Sequence, residues 1–200
     1  MTKYLLAHDL GTSGNKATLF TTDGRLVKST ISAYPTRYFN ATWAEQNPDD
    51  WWNAVCESTK ELLQGVEKKD VLAVSFSGQM MGCLCVDKNG VPLRPSINWA
   101  DMRAVEEERF LKNKMDPMKF YKTVGHRISS SYGIEKLMWV KNNESHLYKN
   151  TYKMLNAKDY IVYKMTGKFV TDFSDASGTN AFDINTFKWS GEILDAAGID

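Results

Sequence analysis

The chain has 200 residues with 25 Lys and Arg against 24 Asp and Glu, so its net charge of +1 supplies no global field favouring nucleic acid or an anionic membrane. This length suits one good-sized domain or two small ones, able to bury roughly 70% of the unfolded surface. The three cysteines (Cys56, Cys83 and Cys85) are too few for a disulfide framework, and no stretch approaches the ~20 apolar residues of a bilayer span; both features point to a soluble protein of the reducing cytoplasm.

Strand signals come first, at 4–9, 16–22 and 25–33, with Thr22-Asp23-Gly24 as a tight turn, which predicts an antiparallel meander. Between the first two strands lies Asp9-Leu10-Gly11-Thr12-Ser13-Gly14-Asn15-Lys16. Gly11 and Gly14 permit positive φ and close backbone approach, Thr12 and Ser13 offer hydroxyls, and successive N–H groups can form an anion-binding concavity. Asp9, at the strand end, is a candidate to hold Mg²⁺ through water. The same residue types also serve an ordinary hairpin turn, so that reading stands beside the first. A Walker P-loop is excluded by the glycine-to-lysine spacing and by the strand-like Ala17-Thr18-Leu19-Phe20 that follows. A two-metal nuclease on a ribonuclease H-like sheet stays open as an alternative for Asp9.

Asn47-Pro48 reads as an N-cap followed by Pro at the first helical position, with Asp49 and Asp50 at the positive end. Trp52, Val55, Cys56, Thr59, Leu62, Leu63 and Val66 recur at helical spacing toward a stop near Gly65, placing Trp52 in the core. Residues 71–76 predict a strand buried in a mostly parallel sheet, and 82–86 another, closed by a turn at 87–90. Within the latter, Cys83 and Cys85 share a face and pack as small apolar groups. Helices are expected at 101–113, 116–123, 131–142 and 157–166. The order implies an α/β fold with a helical insertion in one compact domain. His8, His126 and His146 lack ligand spacing and read as structural or solvated.

Several stretches carry a resemblance. Asp9-Leu10-Gly11-Thr12-Ser13-x-x-Lys16 followed by a strand is similar to the first phosphate loop of the actin-like ATPase superfamily. Trp43-x-Glu45-Gln46-Asn47-Pro48-x-x-Trp51-Trp52, Ser77-Gly78-Gln79-Met80, Asn98-Trp99-Ala100-Asp101-x-Arg103, Lys158-Asp159-Tyr160 with Met165-Thr166-Gly167, and Ser174-Asp175-Ala176-Ser177-Gly178-Thr179 stand in the order seen in FGGY carbohydrate kinases. On these residues the chain resembles that family, nearest its xylulokinase-like branch.

The resemblance implies a ribonuclease H-like mixed sheet flanked by helices and an ATP- and Mg²⁺-dependent kinase acting on a ketose such as xylulose or a related polyol. Asp9 would be the catalytic and metal-organising residue, with Gly11, Thr12, Ser13 and Lys16 toward the phosphates. Gln79, Met80, Met81, Trp99 and Asp101 would meet the sugar: an aromatic face for C–H groups and a carboxylate for hydroxyls. Ser131 and Tyr132 fall in the pocket-lining region, while Asp175 reads as structural. Relatives carry Met-His where this chain has Met80-Met81, which removes a hydrogen-bond donor. Met80 and Met81 as plain core, and Asp101 as a helix cap, are the alternatives. The family's general base lies in a later Gly-Asp segment without a counterpart here. Residues 1–200 are therefore expected to form the amino-terminal, sugar-binding part, incomplete at the C-terminus. It would be inactive alone and partnered by a carboxy-terminal adenosine-binding domain, and a homodimer stays open. A non-catalytic sugar- or partner-binding module is the other reading.

Overall fold

The computed structural model describes residues 2–200. In chain order it forms β1 (Tyr4–Leu10), β2 (Gly14–Thr21), β3 (Leu26–Ala33), β4 (Arg37–Phe39), β5 (Trp43–Gln46), α1 (Pro48–Leu62), β6 (Val71–Gly78), β7 (Leu84–Val86) and β8 (Ser96–Ile97). A mainly helical half follows, with α2 (Val105–Lys114), α3 (Pro117–Val124), α4 (Gly133–Asn143), α5 (Ser145–Asn150), β9 (Lys153–Leu155), α6 (Ala157–Thr166), α7 (Phe173–Ser177), β10 (Phe182–Asp183), β11 (Lys188–Trp189) and α8 (Gly191–Ala197).

The main sheet has the order β3-β2-β1-β6, antiparallel across β3, β2 and β1 and parallel between β1 and β6. Alternation along β1 decides its two faces: Leu6, His8 and Leu10 are buried, whereas Leu5 and Asp9 are exposed. The buried face receives α1, whose Asn47 side chain accepts from Asp49 N at 3.2 Å and whose Pro48 opens the first turn. Trp51, Ala54, Val55, Ser58 and Leu62 form its buried stripe. Val55 and Leu62 are buried as expected, but Trp51, Ala54 and Ser58 take the core positions expected of Trp52, Cys56 and Thr59, and Trp52 lies at the rim. Ser58 on this face meets the buried Asn15, whose Nδ2 donates to Ser58 Oγ at 2.8 Å.

Two expectations for the sheet change. β6 is parallel to β1, but most of its residues are exposed rather than buried, because it forms the sheet's edge. The apolar run at 82–86 shortens to β7 and pairs antiparallel with β9 in a separate two-stranded sheet. A further small sheet, β4-β5-β8, lies between the main sheet and the helices. The helical half packs around Cys83, Cys85, Ile97, Leu111, Phe120, Ile134, Met138 and Val140, a second core distinct from those beneath the main sheet. Among the described residues no helix is long and apolar enough to cross a membrane.

Candidate functional site

The turn after β1 is held by its carbonyls. Gly11 O accepts from Tyr34 Oη at 2.6 Å, Thr12 O from Gln46 Nε2 at 2.7 Å and Thr36 Oγ1 at 3.2 Å, and Ser13 O from Tyr34 N at 3.1 Å. Burial, with the charge of Asp9 adding to it, pushes the Tyr34 phenol far up, so it stays a donor. Three successive carbonyls turned into the protein leave the Thr12 and Ser13 amides on the other side, without a protein acceptor among the described residues. Gly11 and Gly14 are not at positive φ, contrary to expectation. Close approach requires Gly14 instead: a Cβ there would stand 2.9 Å from Ser32 O and 3.0 Å from Ala33 Cα, both backbone.

Asp9 is exposed on the open face of the sheet. Its cross-strand neighbours are Lys16 on β2 and Ser77 on β6, and these residues line a shallow groove with Ala7, Thr18 and Ser75. Among the described residues no group of three or more His, Cys, Asp or Glu side chains converges to hold a metal, so the nuclease alternative lacks the further carboxylates it needs around Asp9.

A buried amide network joins this turn to the expected sugar residues. Gln46 Oε1 accepts from Gln79 Nε2 at 2.6 Å, Asn98 Nδ2 at 3.2 Å and Trp51 Nε1 at 3.2 Å, while Asn98 Nδ2 also donates to Gln79 Oε1 at 2.8 Å. Gln79 is thus oriented by its neighbours. Trp99 is 41% exposed, and its indole Nε1 donates to Thr12 Oγ1 at 2.9 Å. One hydrogen bond therefore links the Trp99 indole to the hydroxyl side chain of the turn after β1.

Met80 and Met81 are half-buried and follow directly from β6. Met80 packs against Gly178, where a Cβ would meet its Cε at 3.1 Å, so the 173–180 segment does close on this loop. Met81 has φ +62, a left-handed conformation uncommon for a side chain of its size. Its carbonyl accepts from Lys136 Nζ at 2.8 Å, and the same Nζ donates to Ser131 O at 2.6 Å. Ser131 and Tyr132 are half-buried on the turn before α4, with the Tyr132 ring 5.1 Å from His126. His126 Nε2 lies 3.1 Å from Ser177 Oγ. His8 is structural, stacked on Phe76 and bonded to Asn15, and burial holds its imidazole below the usual range.

Asp101, expected to accept from sugar hydroxyls, is engaged by the protein itself. It is fully buried, with its carboxylate accepting from Ala44 N at 2.6 Å and Arg103 N and Nε at 2.9 Å, plus the Arg103 guanidinium terminus at 2.7 Å. It fastens β5 to the 98–103 segment and so seats Trp99. Asp175 is fully buried near Lys158, 3.5 Å away; burial, reinforced by Asp159, pushes its carboxyl up to about 7. Lys136, Gln46 and Asn98 have no expected role in the sequence. The signal for Lys136 is its place on α4, continuing the apolar stripe of Trp139 and Val140, where a solvated lysine would not sit.

A mixed sheet with an acid at the end of its first strand, a carbonyl-anchored turn beyond it and the Trp99 indole bonded to that turn define a protein of the actin-like ATPase fold. Residues 4–200 match the FGGY family of carbohydrate kinases, N-terminal domain, and the chain belongs to that family. It is 36% identical to a xylulose kinase of Staphylococcus xylosus across 98% of this chain and 41% of that protein, and 31% identical to a gluconokinase of Bacillus subtilis across 100% of this chain and 39% of that one. Among solved structures, the ligand-bound xylulose kinase from Lactobacillus acidophilus superposes with a TM-score of 0.92 at 31% identity, covering 99% of this chain and 40% of that one. The chain thus spans about two fifths of the length of these relatives.

Proposed function

We propose that this chain is the sugar-binding part of an ATP-dependent kinase that phosphorylates a ketose or a related polyol or sugar acid. The observation that carries the reading is the Trp99–Thr12 hydrogen bond, which makes the sugar-facing aromatic and the phosphate-type turn adjoining walls of one site. A phosphoryl group received at Thr12 and Ser13 would lie next to a sugar stacked on Trp99, as in-line transfer demands.

The residues present fit Mg²⁺ and a polyphosphate. Asp9 is exposed beside Lys16, and the turn's outward amides face the side from which its carbonyls are withdrawn. A single carboxylate acting through water, with substrate phosphates completing the shell, is the usual way proteins hold Mg²⁺. Asp9 would hold that ion, Gly11, Thr12 and Ser13 the phosphates, and Lys16 the charge at their side. When bound, the ion neutralises charge on the transferring group. The chain's own work is orientation: Gln46 fixes the turn through Thr12 O, and Gln79 and Asn98 set the sugar loop against it.

Because the chain spans about two fifths of its relatives' length, we assign the general base and the adenosine site to the remaining part of such a protein. Three free cysteines, two of them buried, favour a reducing, cytoplasmic setting. In a form extended to the relatives' length, Asp9→Asn should lower kcat by roughly two orders of magnitude or more while sparing sugar KM. Unchanged kcat would remove Asp9 from the mechanism. The 200-residue chain should be stabilised by xylulose, gluconate or a related sugar in a thermal-shift panel yet release no ADP in a coupled assay, and sugar-dependent turnover from it would overturn the division of labour.

A further inference from the structure

Lys136 is fully buried, a position that lysine seldom occupies without a specific partner. Its two recorded acceptors are backbone carbonyls on different segments, Met81 O at 2.8 Å and Ser131 O at 2.6 Å. One carbonyl lies on the loop after β6 and the other on the turn before α4, so the amine ties these two segments together. The peptide it grips is held from its other end as well, since Gly82 N donates to Asn156 Oδ1 at 3.2 Å. The two clamps hold the peptide that joins Met81 to Gly82, and Met81 is the one residue of the 79–82 loop with a left-handed backbone. Such a conformation persists in a residue other than glycine only where its surroundings over-determine it, and such residues gather at ligand clamps.

We propose that Lys136 is a positioning residue of the sugar cleft, holding Met81 in its left-handed conformation and tying it to the Ser131 turn, so that the side chain at position 81 meets the acceptor sugar in one orientation. The proposal rests on reading this cleft as the sugar site. It explains why a costly polar group stands where an apolar side chain would pack more cheaply. It also gives the Met-for-His difference a mechanism: the backbone geometry is fixed from below, and the residue presented is free to vary. The charged and titratable groups facing Lys136 are Asp101, Cys83, Glu135 and Arg103. Burial pulls its amine down to about 7, so the clamp titrates within an accessible range.

The test compares the wild-type chain with Lys136→Met by amide hydrogen exchange and by thermal shift with xylulose and gluconate. The Gly82 amide should exchange roughly tenfold faster or more in the variant, while Leu6 and Leu19 in the main sheet keep their protection, and sugar stabilisation should be lost. Unchanged Gly82 exchange, or an unchanged sugar response, overturns the proposal. Should neither sugar stabilise the wild type, the kinase reading fails for those substrates while the exchange result still decides the clamp. Should Lys136→Met fail to fold, a wild-type titration followed by carbon NMR decides it. The Met81 and Ser131 carbonyls should then share the midpoint of the Lys136 side chain, and carbonyls that instead follow Glu135, or stay still, overturn it.

Discussion

Glu135 stands next to Lys136 at the start of α4 and is just as deeply enclosed. Its Oε1 accepts from Ser129 N and Asn180 Nδ2, both at 3.2 Å, while Oε2 has no partner among the described residues. Burial pushes its carboxyl up from 4.5 to about 8. In the native protein the group therefore keeps its proton at neutral pH, whereas in the unfolded chain it ionises above 4.5. The unfolded state thus binds fewer protons between 4.5 and 8, and stability falls as pH rises through that window. Glu135→Gln preserves the acceptor and removes the titration, so its unfolding free energy should gain on that of the wild type progressively from pH 5 to pH 7, by up to about 1.4 kcal/mol per pH unit. Chemical unfolding across that range checks it, and parallel curves for the two proteins would refute the buried titration. A single side chain here sets the geometry of the turn bearing Ser131 and Tyr132 at a measurable cost to the fold.

At the scale of elements, the small β4-β5-β8 sheet is fixed by charges. Arg103 pairs with Asp101 and with Glu45 at 2.9 Å, Arg94 pairs with Glu45 and with Glu144 at 3.0 Å, and the Arg103 guanidinium lies 3.9 Å over the Trp43 ring. Breaking one partner of such a group strands a buried charge. Asp101→Asn should therefore cost about 3–5 kcal/mol of stability, with sugar affinity falling only as far as the folded fraction does. A selective loss of sugar binding at full stability would return Asp101 to direct contact. Much of this architecture is legible in the sequence where the period is strong: the β1–β3 meander follows from alternation and the Thr22-Asp23-Gly24 turn, and α1 from Asn47-Pro48 and its stripe. The two- to four-residue strands β4, β5, β8, β10 and β11 are too short to show a period, and long-range pairing rather than local propensity creates them. The candidate site divides in the same way. Asp9, Thr12 and Trp99 stand out by residue type and place, but the buried roles of Asp101, Gln46 and Lys136 depend on partners up to 57 positions away.

Across the whole molecule, the sheet is served on one face only. α1 covers Leu6, Leu10 and Leu19, while the opposite face shows Leu5, Ile31 and the Asp9 groove to solvent. β6 adds a free edge, since it pairs with β1 alone, and Leu72 and Val74 on it are exposed. An apolar edge strand with unpaired backbone groups is a template for another chain. The 200-residue chain should therefore self-associate as its concentration rises, and Leu72→Lys should suppress this by placing a charge on the edge. Sedimentation velocity over a concentration series reads both outcomes. A wild-type chain that stays monomeric throughout would show the edge to be inert, whereas association untouched by Leu72→Lys would move the contact elsewhere.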